Sequence, residues 1–71
     1  IIEEYSVEDI MDRLLRELQD KEYVSFGNFA KQAVDRMELV ASFLAILELM
    51  KLQKLKVVQQ GNFKDILLMS K

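Results

Sequence analysis

Residues 36 to 53, RMELVASFLAILELMKLQ, carry apolar side chains around an unusually large part of a helical surface. Leu39, Val40, Phe43, Leu44, Ile46, Leu47, Leu49 and Met50 recur at spacings of three and four, and Glu48 is the only charge between Leu39 and Met50. On a wheel of about 3.6 residues per turn they fall into two adjoining stripes, Val40-Phe43-Leu44-Leu47 and Ser42-Ile46-Leu49-Gln53. A surface helix usually shows an apolar arc of roughly 100°, and this one covers about twice that. One stripe is therefore expected in the core and the other on a contact surface. The bulkier stripe, with Phe43 and Leu47, is expected inside; Ser42, Ala45, Ile46, Leu49 and Gln53 are expected to face a partner.

The remaining pattern places the other elements. Ser6 precedes Val7, Ile10, Met11, Leu14, Leu15 and Leu18 at the spacing of one apolar face, and Asp9 stands where a capping-box acid belongs, so a helix is expected over 7–20. Arg13 to Glu17 and Arg16 to Asp20 are placed to pair across one turn of it. Tyr23, Val24 and Ser25 make a strand too short to stand alone. Ser25 then caps a short helix with Phe26, Phe29, Ala30 and Ala33 on its apolar side, weakened by Gly27 and Asn28. A break at Val34 and Asp35, with Asp35 and Glu38 as a second capping box, leads into the long helix, giving a helix-turn-helix. After Gln53 the period changes to two. LKVVQQ, a Gly61-Asn62 turn and DILLM describe a hairpin. The order helix, strand, helix, helix, strand, strand defines an α+β, mainly α fold, a winged helix forming a single domain over 1–71.

Composition narrows the chemistry. The chain of 71 residues has no cysteine and no histidine, which excludes catalysis by either residue and the commonest zinc ligand sets. No disulfide can staple so small a core, and an intracellular, cytoplasmic protein is expected. There is no long uncharged apolar run, and IIEEYSVED lacks the basic start of a secretion leader, so a soluble domain is expected. The acids at Glu3, Glu4, Glu8, Asp9 and Asp12 suit a helix start and mark no pocket, and Gly27 and Gly61 stand too far apart for a phosphate loop. No catalytic residue, metal site or cofactor is expected.

The net charge of −2 conceals a polarity: residues 1 to 22 hold eight acids and three bases, residues 49 to 71 five lysines and one acid. Winged helices often insert their third helix into the major groove, which makes a DNA-binding transcription regulator the alternative reading. A stripe of Ser42, Ala45, Ile46 and Leu49 offers few donors for base edges, although Lys51, Lys54, Lys56 and Lys64 suit weak phosphate contacts. Met37, Met50 and Met69 fill core space or form an adaptable surface. Phe63, beside the turn, either folds under the hairpin or touches a partner.

The run VASFLAILELMK at 40–51, followed by Leu55, Val57, Gln59, Phe63, Asp65 and Ile66 in VVQQGNFKDI, resembles the C-terminal winged-helix domain of segregation and condensation protein A, the prokaryotic kleisin. The helix motif V-x-x-F-L-A-x-L-E-L and the hairpin motif Q-x-x-x-F-x-D-I stand at the separation that family shows, and the likeness spans residues 6–69. The resemblance implies the last domain of a longer, nucleoid-associated chain. It also implies a non-catalytic module that docks on the cap side of an SMC ATPase head and helps close a ring around chromosomal DNA. Gln59 and Phe63 join the expected contact residues on this basis. Gln60, Gly61 and Asn62 are neutral where the family often carries an acidic pair, so a charge contact from that loop is not expected here.

Overall fold

The computed structural model describes residues 6–60 and 66–71. Its elements are α1 (Val7–Gln19), β1 (Val24–Ser25), α2 (Phe26–Lys31), α3 (Arg36–Lys51), β2 (Leu55–Gln59) and β3 (Ile66–Ser70). The order is that of a winged helix. The three strands form one antiparallel sheet in the order β1-β3-β2, so the last strand lies between the other two. Val24 sits opposite Leu68, which in turn sits opposite Val57, tying the strand after the first helix to the hairpin. The expected Gly61-Asn62 turn lies outside the described residues.

Each helix begins at the side chain that the sequence nominates. Ser6 Oγ accepts the Asp9 N–H at 3.3 Å, Ser25 Oγ that of Asn28 at 3.4 Å, and Asp35 Oδ1 that of Glu38 at 2.9 Å. Glu38 returns a bond one residue further back than a standard capping box, with Oε1 accepting the Val34 N–H at 2.9 Å. α3 ends in a Schellman motif, in which the Lys54 N–H reaches Leu49 O and the Gln53 N–H reaches Met50 O. Gln53 holds the left-handed residue of that motif, φ 64°, where glycine is usual.

The core is built from Ile10, Leu14 and Leu18 of α1, Phe29 of α2, Val24, Leu55 and Leu68 of the sheet, and Ala41, Ala45, Ile46 and Leu49 of α3. The expected stripe assignment of α3 is therefore reversed. Ser42, Ala45, Ile46 and Leu49 are buried, whereas Leu39, Val40, Phe43, Leu44, Leu47 and Met50 are exposed. The physical reason is helix spacing. α1 presents three large branched side chains one turn apart and packs against α3, whose buried stripe includes Ala41, Ser42 and Ala45, small side chains that let two helix backbones approach. A row of Phe43 and Leu47 at that seam would overfill it. Ser42 tolerates burial because its hydroxyl donates to Glu38 O at 2.9 Å.

Two smaller expectations also change. Arg13 reaches Glu38 of α3 at 3.5 Å and lies over the Phe29 ring at 5.4 Å, and Glu17 pairs with Lys21 at 3.2 Å, so the Arg13–Glu17 pairing does not form. Met37 and Met50 are exposed rather than core-filling, and Met69 is half-buried.

Candidate functional site

α3 is apolar nearly all round, and the domain covers only one side of it. Leu39, Met50, Phe43, Leu47, Val40 and Leu44 follow one another around about 140° of its circumference, taking ~100° per residue. All six are exposed, from 38% at Met50 to 52% at Val40. None carries a hydrogen-bonding side chain. Half-buried Glu48 closes the arc on the side that faces α1, and Lys51 stands within it at its C-terminal end.

Grooves flank this ridge on both sides. Between α3 and the sheet a cavity of ≈ 160 Å³ is walled by Phe26, Phe43, Met50, Val57 and Ile66, all of them apolar. It continues toward α2 into a hollow of ≈ 450 Å³ lined by Phe26, Ala30, Leu39, Val40 and Phe43. Phe26 and Phe43, which line both hollows, meet edge to face at 6.4 Å. On the other side Val7, Met11, Leu44 and Leu47 line a broader groove of ≈ 580 Å³ whose rim carries Glu8, Glu48 and Lys51. Together the ridge and the two hollows that share Phe26 and Phe43 make one side of α3 apolar. Contiguous apolar patches of this kind mark interaction sites on soluble proteins.

The structure divides the residues that sequence reasoning nominated. Ser42, Ala45, Ile46 and Leu49 lie in the core and are closed to a partner. Gln53 is exposed, but its backbone ends α3 and its side chain accepts a hydrogen bond from Lys71 Nζ. Gln59 is exposed at the end of β2, and Phe63 lies outside the described residues. The ridge residues were visible in the sequence as the bulkier stripe; the small side chains at 41, 42 and 45 were the signal that the other stripe faces a neighbouring helix. Among the described residues no helix is long and apolar enough to cross a membrane.

Known proteins share both the sequence and the fold. A family model described as "Segregation and condensation protein ScpA" matches residues 1–70. Segregation and condensation protein A of Clostridium acetobutylicum is 40% identical over 62 residues, covering 87% of this chain and 25% of that protein. That of Clostridium tetani is 37% identical over 67 residues, covering 94% of this chain and 26% of that protein. The chain thus spans about a quarter of the length of these relatives. A solved structure described as the "SmcHead bound to the C-winged helix domain of ScpA" superimposes with a TM-score of 0.69, covering 93% of this chain and 100% of the other. At 18% identity that likeness establishes the winged-helix fold. With a family match along nearly its whole length, the chain belongs to the segregation and condensation protein A family.

Proposed function

We propose that this domain is the C-terminal winged helix of a kleisin and docks on the ATPase head of an SMC protein, as a non-catalytic link in a ring that organises chromosomal DNA. The observation that carries the reading is the ridge on α3: six large apolar side chains exposed on one arc, flanked by apolar grooves. Family membership supports it, as does the similarly folded ScpA domain described as bound to an SMC head. A protein interface is anchored by a few large side chains seated in desolvated pockets, and Phe43, Leu44 and Leu47 have that character. Gln59 and Phe63 stay in the proposal as flanking contacts. The DNA-binding alternative fits less well, because the exposed arc from Leu39 to Met50 presents no donor or acceptor to a base edge.

The test is calorimetry of the domain against an SMC head from a closely related organism. Leu47→Arg, at the centre of the ridge and on the wall of both grooves, is expected to stay folded, melting within about 5 °C of the parent, and to weaken binding by several kcal/mol, since an unpaired charge enters an apolar contact. Parent-like binding by Leu47→Arg would move the docking face elsewhere; absence of parent binding would remove the reading itself.

A further inference from the structure

We infer that the lysines at the base of the wing, Lys51, Lys54, Lys56 and Lys71, contact the phosphate backbone of duplex DNA. The fold brings the end of the chain back to the segment that follows α3. The Lys71 N–H donates to Lys54 O at 3.3 Å, the Lys71 side chain donates to Gln53, and Lys56 lies opposite Met69 one pair into the hairpin ladder. All four lysines are exposed, and none forms an ion pair among the described residues.

Local structure accounts for these charges only singly. Lys51 stands in the last turn of α3, where a cation is favoured by the helix dipole. Lys56 lies on an edge strand, where lysine discourages pairing with another chain. Neither reason applies to Lys54 or Lys71, and gathering four like charges costs stability unless an anion meets them. Glu8 and Glu48 line the α1–α3 groove together with Lys51, and no Asp or Glu occurs from 49 to 60 or from 66 to 71. A domain of net charge −2 therefore presents a cationic end to solvent. With no base-reading side chain on the arc of α3, the contact is to backbone phosphates without sequence preference. Lys51 borders the α1 groove of the ridge, whereas Lys54, Lys56 and Lys71 line none of the grooves beside it, so the contact made by these three does not depend on head docking.

Fluorescence anisotropy of a labelled duplex tests this. Four phosphate contacts predict that affinity falls roughly 150-fold between about 50 and 200 mM salt, leaving binding no tighter than about 10⁻⁴ M near physiological salt. The triple variant Lys54→Glu/Lys56→Glu/Lys71→Glu is expected to lose binding at low salt. So is its milder counterpart Lys54→Gln/Lys56→Gln/Lys71→Gln. Lys21→Glu/Lys31→Glu/Arg36→Glu makes the same change in net charge elsewhere and is expected to bind within a few-fold of the parent. Three results overturn the inference: equal loss in the control variant, an affinity insensitive to salt, or equally tight, salt-matched binding of polyglutamate at the same lysines.

Discussion

Leu44→Ala and Leu49→Ala make the same chemical change in one helix, five residues apart and on opposite sides of its axis. Leu49 is 0% exposed and Leu44 47% exposed. Both variants gain the same small increment of intrinsic helix propensity, so that contribution cancels in the comparison. Truncating a fully buried leucine removes its transfer free energy and leaves a cavity, at a cost of about 2–5 kcal/mol. Leu44 is about half covered, against Val7 and Met11 across the α1 groove, and stands to lose roughly 1 kcal/mol. A domain of this size retains only about 3–5 kcal/mol in total. At ~4–8 °C per kcal/mol, Leu49→Ala is expected to melt ~8–40 °C below the parent or to show no cooperative transition, while Leu44→Ala falls by about 4–8 °C. Circular dichroism melts, with urea titrations to confirm unchanged m-values, measure both. Equal losses, or a larger loss at Leu44, would refute the inward assignment of the Ala45–Leu49 stripe and with it the exposed ridge.

Two further substitutions test how α3 is held. Glu38→Ala leaves the Val34 N–H without its acceptor and is expected to cost about 1–2 kcal/mol in urea titrations. Glu38→Gln keeps an acceptor and is expected to cost less than half as much, because the Val34 N–H bond is short at 2.9 Å whereas the Arg13 contact is long at 3.5 Å; equal losses would show that the charge matters more than the cap. Gln53→Gly relieves a left-handed residue at φ 64° and is expected to raise stability by up to about 1 kcal/mol, visible as a higher melting temperature; a fall would mean that the Gln53–Lys71 bond outweighs the backbone term.

Elements were legible in the sequence where a local signal fixes them. Ser6, Ser25 and Asp35 start the three helices through bonds to the third residue on, a preference that depends on few distant contacts. The change of period after Gln53 gives the hairpin, because alternation is set by the pleat itself. The facing of α3 was not legible in the same way. Both of its stripes are apolar, so hydrophobicity alone does not choose between them, and bulk points to the wrong one. The choice is made between elements: α1 already supplies Ile10, Leu14 and Leu18 to the seam, and only a small-residue row fits against them. Arg13 shows the same dependence. Its helical neighbour Glu17 is in reach, yet Glu38 and the Phe29 ring hold it once α3 has docked.

The reversal of the stripes exchanges the residues of the candidate site and strengthens the reading of its role. Had Phe43 and Leu47 faced inward, the free side of α3 would have offered Ala41, Ser42 and Ala45 beside Ile46 and Leu49. Small side chains provide little area to desolvate, and interface energy concentrates in a few large anchors. The observed packing instead uses small residues where backbones must approach and leaves the large ones outward. Exposing Val40, Phe43, Leu44 and Leu47 adds nothing to the stability of the free domain and raises its tendency to associate. That arrangement is physically sensible when the exposed face is covered in an assembly. Binding to the folded state then adds stability, about 2.7 kcal/mol at a partner concentration of 100 Kd, comparable with what so small a core supplies alone.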